Sequence, residues 1–178
     1  MFILKRIINI LLRPKSEWAH IASESTTITR LYLRYIIPLA AIETLAIALR
    51  IEEFLLENPG AREAFRFLYF FDFKLTTPGL VIDYGLHLAE IYLLAILVNV
   101  MVPLFLGERN QIQALKVVTY ASTASWLGQA FLAVPIFSLD RSVVILSNLY
   151  TVYLFYLGSP ALMKIPTSKA ITFTGSVH

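Results

Sequence analysis

The chain has 178 residues, of which 57% are apolar and 15% are charged, and it carries a net charge of +3 and no cysteine. A soluble domain usually has about a quarter of its residues charged, so this composition and a mean hydropathy of +0.69 indicate a membrane protein. The absence of cysteine excludes disulfides and thiolate metal sites. Apolar runs separated by short polar joints predict an all-α, multi-pass bundle of transmembrane helices that forms a single domain over residues 1–178.

Residues 1–27 are predicted to form short helices on the membrane surface. The run from Phe2 to Leu12 is apolar but too short to span a bilayer, and Pro14 ends it. The following residues predict a second short helix. The residues expected at the lipid interface are Lys5, Arg6, Arg13 and Trp18. The alternative is an ordinary cytoplasmic elbow that only orients the first span.

Apolar stretches at 28–51, 80–106, 112–137 and 143–163 are each long enough to cross a bilayer. Residues 169–178 look like the start of a further span. With the N-terminus in the cytoplasm, ten Lys and Arg residues lie on the inner side and five on the outer side, which satisfies the positive-inside rule.

Residues 52–79 are predicted to leave the bilayer on the outer side. Six aromatic residues lie between Phe65 and Phe73, among several charged ones. This mixture is typical of an interfacial segment in an aromatic belt. A lid or a docking surface for another protein is the alternative.

The second span carries ionisable residues near its start. Asp83, His87 and Glu90 are spaced i, i+4 and i+7, so they lie on one face of a helix. Glu43 lies well inside the first span. The depth of a residue can be estimated by counting from the outer end of its helix at roughly 1.5 Å per residue. Gln129 and Asn148 then lie at a depth similar to that of Glu43, and Arg50 lies just above them. Such groups are expected to face the bundle interior and to pair with each other.

Three interpretations of this polar cluster remain open. Glu43, Asp83, His87 and Glu90 could bind a divalent metal, with Zn, Mn or Fe suited to one imidazole and carboxylates. The same groups could relay protons or gate a small solute. The structural alternative is a buried hydrogen-bond and ion-pair network in which Arg50 neutralises one carboxylate.

The third span contains small residues at helical spacing. Ala121, Ser125, Ala124 and Gly128 form small-xxx-small pairs, which allow helices to approach closely in lipid. We interpret them as a packing face. A lined pathway is the alternative.

Four segments in order resemble the Yip1 family, specifically its bacterial branch: "RPKSEWAHIASES", "YIIPLAAIE", "NQIQALKVVTYASTASWLG" and "YTVYLFYLGSPALMKIPTSKAITFT". The resemblance covers most of the chain outside residues 52–79. It implies five membrane helices with a cytoplasmic N-terminus, the fifth beginning near Lys169, in the bacterial inner membrane. Ala124 departs from the pattern, since the family often has a proline there, and this removes the expected cause of a kink in the third span.

The resemblance implies membrane adaptors in its eukaryotic members, which engage prenylated GTPases, but this sequence shows no matching motif for GTPase binding. It also has no nucleotide-binding loop, nucleophile elbow, HExxH motif or nucleic-acid motif. We therefore expect a non-enzymatic scaffold, adaptor or accessory subunit. Its expected partners are membrane lipids and either another membrane protein or a second copy of the chain, without nucleic acid. Apart from a possible divalent metal, no cofactor is expected.

Overall fold

A computed structural model describes residues 2–57, 77–131 and 140–177 of the chain. Within these ranges the backbone is helical apart from short turns, and it contains no strand. The all-α prediction is therefore confirmed. The aromatic segment between Phe65 and Phe73 lies outside the described residues.

The helices follow one another along the chain with short connections. In order they are α1 (Phe2–Leu12), α2 (Pro14–Ser23), α3 (Ile28–Leu31), α4 (Ile37–Glu57), α5 (Thr77–Met101), α6 (Gln111–Ala121), α7 (Thr123–Ala130), α8 (Asp140–Met163) and α9 (Thr167–Val177). A π-helical turn, Tyr32–Ile36, joins α3 to α4, and a 3-10 turn, Val102–Phe105, follows α5.

The first predicted span is one long helix with a widened turn. Pro38 has no N–H, and its ring would clash with the carbonyl of Arg34 in a regular α-helix. The π-helical turn places an Ile37 N–H on the carbonyl of Tyr32, which widens the backbone directly before the proline. The helix then continues to Glu57, past the predicted end at residue 51.

The predicted third span is not one continuous helix. It is interrupted at Ser122, between α6 and α7, although no proline lies there. The Ser125 N–H donates to Thr151 Oγ1 of α8 at 3.1 Å, and the Ser125 hydroxyl donates to the Ser122 carbonyl at 2.9 Å. Thr151 Oγ1 thus takes the place of a backbone carbonyl as the acceptor for the Ser125 N–H at the break. The end of this predicted span, residues 132–139, lies outside the described residues.

Two helical stretches in the described part are long and apolar enough to cross a membrane, Pro78–Phe105 and Ser142–Met163. Only 22% and 28% of their apolar windows are buried inside the protein. The core helix of a soluble protein would be mostly buried, so lipid is the natural solvent for the remaining apolar surface. The predicted four or five spans, and the surface position of the N-terminal helices, stay predictions.

Helix α6 lies at the centre of the bundle. All its residues from Ala114 to Ala121 are buried, because α5, α8 and α3 pack around it. Helix α8 also contacts α2, α7 and α9. On α9, Phe173 is fully buried and stacks on Phe155 of α8, with ring centroids 5.8 Å apart. The helix expected near Lys169 is therefore present, and its role as a further span stays a prediction.

Candidate functional site

Two ionisable side chains from different helices meet in the bundle. Glu43 of α4 is only 4% exposed, and its Oε2 lies 3.2 Å from Nε2 of His87 on α5. The two atoms are within ion-pair distance but are not aligned for a hydrogen bond. This contact joins the first and second predicted spans.

A third helix contributes the amide of Gln129. Its Nε2 donates a hydrogen bond to Oε1 of Glu43, so helices α5 and α7 each supply a partner to one oxygen of the same carboxylate. The ring of Trp126, on α7, lies 6.3 Å from the ring of His87 and closes one side of the site. We call Glu43, His87 and Gln129 the polar triad.

Close backbone packing holds α7 in the position that the triad requires. A Cβ at Gly128 would lie 2.0 Å from Oγ of Ser147 on α8, so no larger residue fits there without a shift. Gly128 is one of the small residues predicted to form a packing face, and the contact with α8 agrees with that interpretation.

The other residues predicted for this cluster lie elsewhere. Asp83 is half-buried one turn before His87, while Glu90 and Asn148 are exposed. The side chain of Arg50 lies outside what the structure describes. Among the described side chains, no group of three or more His, Asp and Glu residues is placed to hold a metal ion. Glu43 and His87 would supply two ligands, and the metal hypothesis stays a prediction.

A second polar network connects α1 to α2. The two terminal nitrogens of Arg6 donate to the carboxylates of Glu17 and Glu24, and its guanidinium lies 5.4 Å from the ring centroid of Tyr120. Arg6 is only 4% exposed. A buried cation is stable only when it is paired and hydrogen-bonded, and two carboxylates and an aromatic face provide this here.

Apolar contacts attach α2 to the bundle beside this network. Trp18 is 1% exposed, and its ring meets the ring of Tyr120 edge to face at 6.4 Å. A Cβ at Gly158 of α8 would lie 2.7 Å from the Trp18 ring, so glycine allows the ring to rest on the helix backbone. The Tyr150 hydroxyl donates to the Leu11 carbonyl at 2.7 Å, which ties the end of α1 to α8.

Lys116 is a buried cation that closes the end of α2. Its Nζ donates to the carbonyls of Ile21 at 2.9 Å and Glu24 at 2.5 Å. The Ile21 carbonyl also accepts a hydrogen bond from the Glu24 N–H at 3.3 Å. Carbonyls at the C-terminal end of a helix carry the negative end of its dipole, so an ammonium group suits them. Together with the Arg6 network and the Trp18 contacts, Lys116 fixes α1 and α2, which we call the N-terminal arm, on the bundle.

The outer face of α1 is apolar and exposed. Leu4, Ile8 and Leu12 are 67%, 53% and 75% exposed, and their i, i+4, i+8 spacing forms one stripe along the helix. Lys5 is exposed beside this stripe. On the other side of the helix Ile10 is fully buried. We call Leu4, Ile8 and Leu12 the α1 stripe.

The residues predicted for the lipid interface divide into two groups. Lys5 and Arg13 are exposed, but Arg6 and Trp18 lie in the protein interior, which differs from the predicted lipid-facing position. The physical reason is that Arg6 pairs with the carboxylates of Glu17 and Glu24, and the Trp18 ring packs on Gly158 of α8. Sequence reasoning did not identify Lys116 as a buried cation. The signal in the sequence is a single lysine inside the apolar run from Ala114 to Val118.

The chain was compared with curated proteins, with solved structures and with models of protein families, and a family model matches it. No curated protein matches the chain, and no solved structure matches it. The sequence model of the Yip1 domain matches residues 8–177, a stretch that contains the polar triad, α2 and the second half of α1. The chain therefore belongs to the Yip1 domain family.

Proposed function

We propose that this protein is a non-enzymatic membrane scaffold or adaptor, which positions a partner protein or a second copy of itself at the bilayer surface. The N-terminal arm is the element that does this. The proposal places the arm at the cytoplasmic face of a bacterial inner membrane, with the α1 stripe in the lipid interface.

The observation that carries this proposal is an exposed apolar stripe on a helix that is fixed to the bundle. An interfacial helix on a flexible linker would anchor a protein but would not orient it. Here the buried Arg6, Trp18 and Lys116 side chains hold the arm against α6 and α8. A rigid amphipathic element at the surface of a membrane bundle is suited to setting the geometry of an assembly.

The exposed faces of the longer helices support the same interpretation. Large apolar residues stand out along α5 and α8: Val81, Ile82, Leu86, Leu93, Leu97, Val100, Ile145, Leu146 and Leu149. In a membrane these faces contact either acyl chains or another helix. A scaffold needs such faces for lateral contacts with partners.

The experiment is purification from native membranes in a mild detergent, followed by measurement of the mass of the complex. The wild type is expected to elute as an oligomer or a complex of fixed stoichiometry. The variant Leu4→Ser, Ile8→Ser, Leu12→Ser is expected to lose the partner or to assemble less. A matched control replaces exposed polar residues of the same arm, Lys5→Ser with Lys15→Ser, and is expected to retain the complex.

A lone monomer for the wild type, with ion flux in reconstituted liposomes, would contradict the scaffold proposal. The proposal is also contradicted if the stripe variant and the control both assemble as the wild type does, because the stripe would then have no role in assembly.

The polar triad favours a second candidate function, conduction of protons or a small solute. Glu43 is a buried carboxylate whose partners come from two other helices, and ionisable groups at membrane depth commonly mark transport pathways. Proton flux into liposomes tests this candidate. If the protein conducts protons, the wild type shows flux, and Glu43→Gln and His87→Ala each abolish it. The scaffold proposal predicts no flux for the wild type or for either variant.

Metal binding by the same residues is tested separately. Elemental analysis of the purified wild type and of His87→Ala compares their metal content. If neither carries a stoichiometric metal, the metal hypothesis fails. A stoichiometric metal in the wild type that His87→Ala loses would support it.

A further inference from the structure

We propose that a cavity beside the start of the first membrane helix binds the phosphate group of an anionic ligand, with a phospholipid headgroup as the natural source. The cavity encloses about 60 Å³, and its lining includes Arg30, Arg34, Tyr35, Glu24 and Tyr120. Its described lining includes no residue of the α1 stripe, so the proposal goes beyond the scaffold function and does not depend on it.

Two arginine residues line this cavity. Arg30 belongs to α3 and Arg34 to the π-helical turn that follows, and both line the same space. Both residues are exposed, and within the described part of the chain neither side chain has a carboxylate partner. The planar fork of arginine donates paired hydrogen bonds that match the oxygens of a phosphate.

The only carboxylate in the described lining of the cavity is already engaged. Glu24 accepts a hydrogen bond from Arg6, and its backbone carbonyl accepts one from Lys116. Counting the groups in this network and the cavity, four cations (Arg6, Lys116, Arg30 and Arg34) face two carboxylates (Glu17 and Glu24). The surplus positive charge is located on Arg30 and Arg34, and an anion is the ligand that balances it.

The surroundings favour a lipid over a free phosphate ion. Leu33 lies between the two arginines in sequence and is 65% exposed, and Ile28 is 37% exposed. These residues form the start of the first predicted span, and the helix continues from them to Glu57. A phospholipid can place its phosphate on the arginines and its acyl chains along these apolar side chains, whereas free phosphate would use the arginines alone.

The experiment is a binding titration by native mass spectrometry on delipidated protein in a neutral detergent. The probes are dioctanoyl phosphatidic acid, dioctanoyl glycerol and inorganic phosphate. The first two differ only in the phosphate group. The variant is Arg30→Gln with Arg34→Gln, and the control Arg109→Gln with Lys169→Gln removes the same charge from exposed positions outside the cavity.

The wild type is expected to bind phosphatidic acid more tightly than dioctanoyl glycerol. Loss of two charge-assisted contacts is expected to weaken this binding by about tenfold or more. The control is expected to stay within about twofold of the wild type, because exposed charges at a distance contribute little. Arg30→Lys with Arg34→Lys keeps the charge but not the fork, and intermediate affinity is expected.

The titration with inorganic phosphate distinguishes the two sources of the ligand. Inorganic phosphate that binds with the same arginine dependence would support the site and show that the free ion suffices, whereas binding of phosphatidic acid alone would identify the lipid. The proposal is overturned if phosphatidic acid binds no better than dioctanoyl glycerol, or if the Gln variant binds it as tightly as the wild type. Thermal unfolding of each variant verifies that it is folded.

Discussion

Gly158→Ala is expected to loosen the N-terminal arm from the bundle. The new Cβ would lie 2.7, 2.8 and 2.9 Å from three atoms of the Trp18 ring. These distances are below normal contact, and Trp18 is 1% exposed, so the ring cannot move without displacing its neighbours. The expected response is a shift of α2 away from α8.

The magnitude follows from two opposing effects. Replacing glycine by alanine inside a helix stabilises it by about 1 kcal/mol, whereas overpacking of a buried site costs about 1 to 3 kcal/mol. Gly85→Ala is a matched control, because Gly85 is also helical and a Cβ there meets nothing within 4 Å. The helix contribution cancels between the two variants. Gly158→Ala is therefore expected to be less stable than Gly85→Ala by roughly 1 to 3 kcal/mol.

The assay combines thermal unfolding with acrylamide quenching of tryptophan fluorescence. The chain has two tryptophans, so Trp126→Phe is introduced into both variants to isolate the signal of Trp18. Gly158→Ala is expected to lower the unfolding midpoint and to increase quenching relative to Gly85→Ala. Equal midpoints and equal quenching would refute the close packing of Trp18 on α8.

Other substitutions probe the two polar networks by thermal unfolding. Arg6→Met leaves a buried carboxylate unpaired and is expected to cost about 3 to 5 kcal/mol, whereas exposed Lys5→Met should stay within about 0.5 kcal/mol. Lys116→Met removes the hydrogen bond to the Glu24 carbonyl, while the Ile21 carbonyl keeps the Glu24 N–H as a partner, so the expected cost is about 1 to 3 kcal/mol. Glu43→Ala is expected to cost about 1 to 3 kcal/mol because its partners lose their acceptor, with Glu90→Ala near neutral. If a variant and its control have equal free energies of unfolding, or if Lys116→Met unfolds at the wild-type temperature, the corresponding network does not stabilise the protein.

Part of the polar triad was predictable from sequence because a helix has a fixed rise per residue. Counting along the spans gives Glu43, His87 and Gln129 similar depth, and the structure brings these three together. Depth does not determine which way a side chain points. Asn148 was expected at a similar depth, but it is exposed on α8. A helix that is apolar all round has little amphipathic pattern to indicate its inner face.

The buried cations were not predictable from local patterns. An arginine or lysine near the end of an apolar run is usually interpreted as a side chain that extends to the membrane surface. Arg6 instead pairs with residues of the next helix, and Lys116 binds carbonyls of Ile21 and Glu24, far away in sequence. The Arg6 pairs depend on how α1 packs against α2, and the Lys116 bonds depend on where the end of α2 lies relative to α6. Both are properties of the tertiary structure. The interruption at Ser122 has the same origin, since its replacement hydrogen bond comes from α8.

The central claim is that the N-terminal arm lies on the membrane with the α1 stripe in lipid, and the most direct test measures the environment of this stripe in a bilayer. The chain has no cysteine, so single cysteines at Leu4, Ile8, Leu12, Lys5 and Lys15 can each carry a spin label in nanodiscs. The account predicts that labels on the stripe are accessible to oxygen dissolved in lipid, while those at Lys5 and Lys15 are accessible to a water-soluble nickel reagent. Equal accessibility to the nickel reagent at all five positions would contradict a membrane-lying arm.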